Sequence, residues 1–187
     1  TVDTSASITR SNASSFRAII TTSNGCSDTT ATYTTTVFAD ADTSVAVSDP
    51  LDFCSNDDVT LTAAAGQTYL WSTGHTTQSI TVNQAGSYYA VVTTSNGCSD
   101  TTATYTTTVF ADADINITTS GSLDFCSYED VVLTAASGQT YSWSTSETTQ
   151  SITVDQAGSY HAIITTSDGC VDTTANLSTT VFADADI

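Results

Sequence analysis

The sequence predicts an all-β fold assembled as tandem β-sandwich repeats of 72 residues, and three observations lead there. First, the segment Thr21–Asp42 recurs unchanged at Thr93–Asp114, and Cys26, Cys98 and Cys170 stand 72 residues apart. That period exceeds the roughly 20–50 residues of solenoid and propeller repeats, so each copy should own its core, as beads on a string. Second, charged residues are only 12% of the chain, and Thr and Ser supply the polar surface, as suits exposed strand faces better than helix interiors. Third, apolar and polar residues alternate over short stretches bounded by turn residues, and no segment shows a helical period with caps.

The repeat divides the chain into the C-terminal half of a truncated copy at 1–42 and complete copies at 43–114 and 115–187. Compared over Leu51–Asp114 and Leu123–Asp186, the complete copies differ at 16 of 64 positions. Ser7–Ile20 aligns with Ser79–Val92, which assigns 1–42 to the second half of a copy. A half sandwich exposes its core face and strand edges, so upstream residues or strands of another chain are expected to complete it. Within one copy, strands are expected at Thr43–Ser48, Val59–Ala63, Thr68–Ser72 with Trp71, Ser79–Val82, Ser87–Thr93 and Thr101–Phe110. Phe16, Tyr88 and Tyr160 stay aromatic between copies while Arg17, Tyr89 and His161 vary. With a two-residue strand period, the first set should face the core and the second solvent.

Two basic residues, Arg10 and Arg17, stand against 20 acidic ones, for a formal net charge of -18. Such a surface repels phosphate backbones and anionic headgroups, which excludes nucleic-acid and membrane-surface binding. There is no apolar run of about 18 residues, so no membrane insertion is expected. The chain starts without Met and without a basic-then-apolar leader, and reads as an internal piece of a longer, processed protein.

Five cysteines occupy two places in the repeat: Cys54 and Cys126 before the second strand, and Cys26, Cys98 and Cys170 in a later loop. The simplest pairing closes each copy on itself, Cys54 with Cys98 and Cys126 with Cys170, and leaves Cys26 unpaired by the truncation. Zinc is the competing reading, but no CxxC pair or His-rich spacing accompanies the thiols, and oxidised staples suit small extracellular domains.

The string CSNDDVTLTAAAGQTYLWSTGHTTQSITVNQAGSYYAVVTTSNGC at Cys54–Cys98 resembles the immunoglobulin-like repeats of large cell-surface adhesins of Bacteroidota, including the gliding-motility adhesins. The shared order is Cys, an LTA strand, YLWS, TTQSITV, GxY and NGC, and it covers the whole repeat. The resemblance implies immunoglobulin-like sandwiches strung into a stalk or filament of an adhesin secreted by the type IX route and carried on the bacterial outer surface. Its cysteines sit at loop ends, so the expected bond clips one pole of a sandwich. AGSY, at Ala85–Tyr88 and Ala157–Tyr160, resembles a tyrosine corner, with Ser14 in place of its glycine in the first copy. Competing functions are a protomer of a self-assembling extracellular filament and a carbohydrate-binding module using Tyr33, Tyr89 and Tyr105, although Leu177 replaces Tyr105 in the last copy. Expected partners are neighbouring repeats of the same chain, identical subunits and surface glycans.

Asp40, Asp42, Asp112 and Asp114 lie in the FADAD segments between copies. Together with Asp52, Asp57 or Asp58 they could hold Ca²⁺ and stiffen the junction; the alternative is a solvated acidic linker. No other cofactor is expected. Asp-Thr-Thr, once per copy, resembles a Bacteroidota O-glycosylation acceptor and implies sugar on Thr29, Thr101 and Thr173. No enzymatic activity is expected. His75 aligns with Glu147, and His161 with Tyr89 and Arg17, so neither belongs to a repeated site, and no nucleophile–base motif is present.

Overall fold

A computed structural model describes residues 5, 7–9 and 11–183, which form strands and turns with no helix among them. Arg10 and residues 184–187 of the last copy lie outside the described residues. The first 42 residues contribute β1 (Ser14–Phe16), β2 (Ile19–Thr21), β3 (Ser27–Thr29) and β4 (Tyr33–Thr35). These form two antiparallel pairs, β1 with β4 and β2 with β3.

The second copy holds β5 (Val45–Val47), β6 (Asp52–Cys54), β7 (Val59–Ala63), β8 (Thr68–Trp71), β9 (Ser79–Val82), β10 (Gly86–Tyr88), β11 (Ala90–Thr93), β12 (Ser99–Thr101) and β13 (Tyr105–Phe110). Three sheets result: β5-β7-β9, β12-β11-β8 and β10-β13-β6. In β7 the side chains of Val59, Leu61 and Ala63 are buried while Thr60 and Thr62 are not, the period-two pattern of a strand with one face on a core. The long strands expected at Ser87–Thr93 and Thr101–Phe110 are each broken in two. Thr102 explains the break: its hydroxyl accepts from Ala90 N at 3.0 Å and donates to Ala103 O at 2.9 Å. A side chain thus replaces one rung of the ladder, and the same two segments can serve two sheets.

The sheets enclose one core around Trp71, Leu61 and Val92. The Trp71 indole N–H donates to Thr77 O at 2.9 Å, so the largest buried side chain carries no unsatisfied polar atom. The Tyr88 phenol donates to Gln84 O at 3.0 Å, the tyrosine corner expected from AGSY. A Cβ on Gly86 would stand 3.1 Å from that phenol oxygen, which is why the ring lies over a glycine. The Gln84 carbonyl also accepts from Thr107 Oγ1 at 2.7 Å. Tyr88→Phe therefore orphans no acceptor and should cost about 1 kcal/mol, read as a lower urea midpoint at unchanged slope.

The third copy repeats this plan in β14 (Ile117–Thr119), β15 (Asp124–Cys126), β16 (Val131–Ala135), β17 (Thr140–Trp143), β18 (Ser151–Val154), β19 (Gly158–Tyr160), β20 (Ala162–Thr165), β21 (Val171–Thr173) and β22 (Leu177–Phe182). Its core, around Trp143, Leu133 and Ile164, is separate from the first. As expected, Tyr88 and Tyr160 are buried while Tyr89 is exposed; Phe16 and His161 are half-buried.

The strand registers decide which end of the sandwich each loop occupies. In the second copy Ala64 N donates to Ser44 O and Gln67 N to Thr93 O. These bonds gather the start of β5, the β7–β8 loop and the turn Thr94–Cys98 at the N-terminal pole. At the opposite, C-terminal pole, β6 runs parallel to β13 and pairs Cys54 with Phe110, where the chain leaves the copy. About ten strand residues, or roughly 30 Å, separate the two poles. The third copy matches: Ala136 N donates to Asn116 O and Gln139 N to Thr165 O at the pole of the turn Thr166–Cys170, while Cys126 pairs with Phe182 at the other.

Candidate functional site

One disulfide forms, between Cys54 of the second copy and Cys170 of the third, with Cα atoms 5.7 Å apart and a sequence separation of 116. The expected pairing of Cys54 with Cys98 and of Cys126 with Cys170 is corrected. Those partners sit at opposite poles of one sandwich, far beyond the roughly 7 Å that Cα atoms of a disulfide can span. Because each copy begins at one pole and ends at the other, Cys54 and Cys170 instead face each other where the second copy meets the third. The bond staples two sandwiches rather than clipping one. Cys26, Cys98 and Cys126 are free thiols, exposed at Cys26 and half-buried at the other two.

Both halves of the staple are built locally. On one side, Cys54 ends β6 in a tight turn closed by Asp57 N donating to Cys54 O at 2.9 Å. On the other, Thr166 N donates to Cys170 O at 2.8 Å and Gly169 N to Thr166 O at 3.1 Å. Gly169 has φ 88°, a left-handed value that a side chain would strain, which accounts for the glycine before this cysteine. A cleft runs beside the bond, lined by Asp52, Phe53, Asp57 and Asp58 of the second copy and by Asp168 and Gly169 of the third.

The FADAD segments are neither free linkers nor a metal cage. Ala41 and Ala113 are buried, each in the core of the copy that follows. Asp42 accepts from Ser44 N at 2.9 Å, and Asp114 from Asn116 N at 3.0 Å and Asn116 Nδ2 at 2.6 Å. Asp112 accepts from the Ser55 hydroxyl, tying the end of the second copy to the turn after Cys54. Among the described residues no group of three or more His, Cys, Asp or Glu side chains converges as a metal site. The reason is visible: Asp42 and Asp114 turn onto their own backbone, whereas Asp40, Asp52, Asp57 and Asp58 are exposed. The Ser44 backbone N–H, and then the Ser44 hydroxyl, hold the Asp42 carboxyl below its ordinary value. This cap is complete above the ordinary carboxylate range and weakens as pH falls through the lowered value.

Thr29, Thr101 and Thr173 are all exposed, on β3, β12 and β21, each bonded along one side only. Tyr33 and Tyr89 are exposed, but Tyr105 lies half-buried against the first core and is withdrawn from an exposed aromatic set. His75 Nδ1 pairs with Thr73 Oγ1 at 2.9 Å and His161 Nδ1 with Asn176 Oδ1 at 3.0 Å, local contacts without a repeated counterpart.

No protein-family model matches the chain, and no curated protein matches it. Among solved structures, the chain is similar to murine CEACAM1b, at 13% identity and TM-score 0.32, over 71% of this chain and 96% of that one. It is also similar to the fibronectin(III)-like modules of Clostridium thermocellum CbhA, at 10% identity and TM-score 0.36, over 75% and 94%. A third similarity is to the Bacteroides ovatus mixed-linkage glucan utilization locus SGBP-B, solved with a mixed-linkage heptasaccharide, at 14% identity and TM-score 0.26, over 90% and 52%.

Proposed function

We propose that the chain is a structural stalk segment of a secreted bacterial surface adhesin, in which consecutive sandwiches are locked head to tail by disulfides. The observation that carries this reading is the Cys54–Cys170 bond, which joins the C-terminal pole of one copy to the N-terminal pole of the next. A covalent tie between two separate cores adds nothing to a binding pocket and removes a hinge. An oxidised bond also fits an extracellular setting, and the resemblance to Bacteroidota adhesin repeats supplies the outer-surface placement. The exposed threonines Thr29, Thr101 and Thr173 are the positions where surface sugar would sit on such a stalk.

Spin labels on Thr81 and Thr153, both exposed and equivalent in the two copies, test the rigidity. A narrow distance distribution in the oxidised chain should broaden on reduction or in Cys54→Ser. A width that ignores the staple would reject the stalk reading.

A second reading, strands shared between subunits, has its own observation. Ile20 is 62% exposed, whereas its counterparts Val92 and Ile164 are 0% exposed. Val37 and Phe38 are exposed as well, so the half copy presents a core face that further strands would cover. Sedimentation at increasing concentration should then show reversible association, which Ile20→Asp would suppress; concentration-independent monomer would reject it.

A further inference from the structure

We propose that the cleft beside Cys126 is a socket for the Thr-x-x-Gly-Cys turn of a second copy of this chain, and that the turn it receives is Thr22–Cys26, sealed by a Cys26–Cys126 disulfide. The proposal deepens the stalk reading and rests on it.

The socket is the translated image of one already filled. Asp124, Phe125 and Cys126 lie on the parallel strand beside Phe182 as Asp52, Phe53 and Cys54 lie beside Phe110. Glu129 N donates to Cys126 O at 2.9 Å, as Asp57 N does to Cys54 O. At Cys54 the turn Asp168–Gly169 of the next repeat forms one wall of the cleft. At Cys126 the corresponding cleft, lined by Asp124, Phe125 and Glu129, draws its described residues from its own repeat alone. Cys126 carries a free thiol there.

The plug is likewise preformed. Thr22 N donates to Cys26 O and Gly25 N to Thr22 O, both at 2.9 Å, the bonds that shape Thr166–Cys170. Gly25 has φ 84°, against 88° at Gly169. Of the two turns bearing a free thiol, the one at Cys26 is exposed and the one at Cys98 half-buried. Charge favours the same choice, because Asn24 stands where Asp168 lines the filled cleft. A neutral amide facing Glu129 and Asp130 removes a like-charge contact between two strongly acidic chains.

A small-molecule disulfide such as glutathione disulfide supplies the oxidation. The Cys26 thiolate attacks one sulfur and releases a glutathione thiolate. The Cys126 thiolate of the other copy then attacks Cys26 Sγ of the mixed disulfide and releases a second. One disulfide is reduced to two thiols, which take up the two protons, as one new disulfide forms.

The test is to incubate the concentrated full chain with glutathione disulfide and map cross-links by non-reducing electrophoresis and peptide mass spectrometry. Covalent dimers and longer oligomers are expected, with Cys26–Cys126 the dominant link between chains and a yield that rises with ionic strength. Cys26→Ser and Cys126→Ser should each stop the ladder, and Cys98→Ser should leave it unchanged. Gly25→Val, which keeps every thiol but strains the turn, should slow coupling by about tenfold. A mixture of all thiol pairs, a dominant Cys98–Cys126 link or indifference to Gly25→Val would overturn the proposal. If Cys54–Cys170 is found without Cys26–Cys126, the socket fails and the stalk stands; if Cys54–Cys170 is also missing, the stalk reading itself fails.

Discussion

Pulled by its two ends in oxidising buffer, the chain should extend by roughly 400 Å less than the same chain pulled in reductant. The tension enters at Cys54, crosses the sulfur bridge to Cys170 and leaves, so the intervening stretch bears no load. That stretch spans a sequence separation of 116, and an extended chain covers at most about 3.3–3.6 Å per residue. Cys54→Ser should reproduce the reduced trace in oxidising buffer, and Cys98→Ser should not. Pairing within each repeat would instead hide two loops with separations of 44 residues each, about 150 Å apiece. Two such increments on reduction, in place of one large one, would refute the inter-repeat staple.

The difference between those outcomes marks where the sequence was legible and where it was not. Strand periodicity placed Val59, Leu61 and Ala63, the Trp71 strand and the tyrosine corner, because each depends on local spacing. Disulfide partners depend on which pole a loop reaches, and that is set by long-range register. The parallel pairing of Asp52–Cys54 with Thr108–Phe110 puts Cys54 at the C-terminal pole, yet three residues before a Gly-free acidic turn give little strand signal. Repetition was also misleading in one respect: a period of 72 shows that Cys98 and Cys170 are equivalent, but not whether the bond runs within one period or into the next. FADAD read as a charged hinge because alanine between aspartates carries no apolar signature. In the fold its second alanine is buried at Ala41 and Ala113, and the last aspartate caps the strand that follows.

Trp71→Ala should unfold the second copy while leaving the third folded. Trp71 is 1% exposed at the centre of its core, and truncating a buried tryptophan costs about 3–5 kcal/mol. The Thr77 carbonyl would lose the indole N–H that it accepts, adding about 1–3 kcal/mol if water cannot reach it. A sandwich of this size has roughly 4–11 kcal/mol in total, so the variant should lie near or below the folding threshold. The chain has two tryptophans, one per core, so in Trp71→Ala the remaining emission comes from Trp143. Under reductant, which severs the link between cores, that emission should keep its blue-shifted position and its original urea midpoint while circular dichroism reports loss of part of the strand signal. In oxidising buffer the staple holds the unfolded copy against the folded one, and the Trp143 midpoint should shift by less than the cost paid in the mutated core. A Trp143 transition that moves down together with the circular-dichroism loss under reductant would mean that the two cores fold as one, and would overturn the picture of independent sandwiches joined by sulfur.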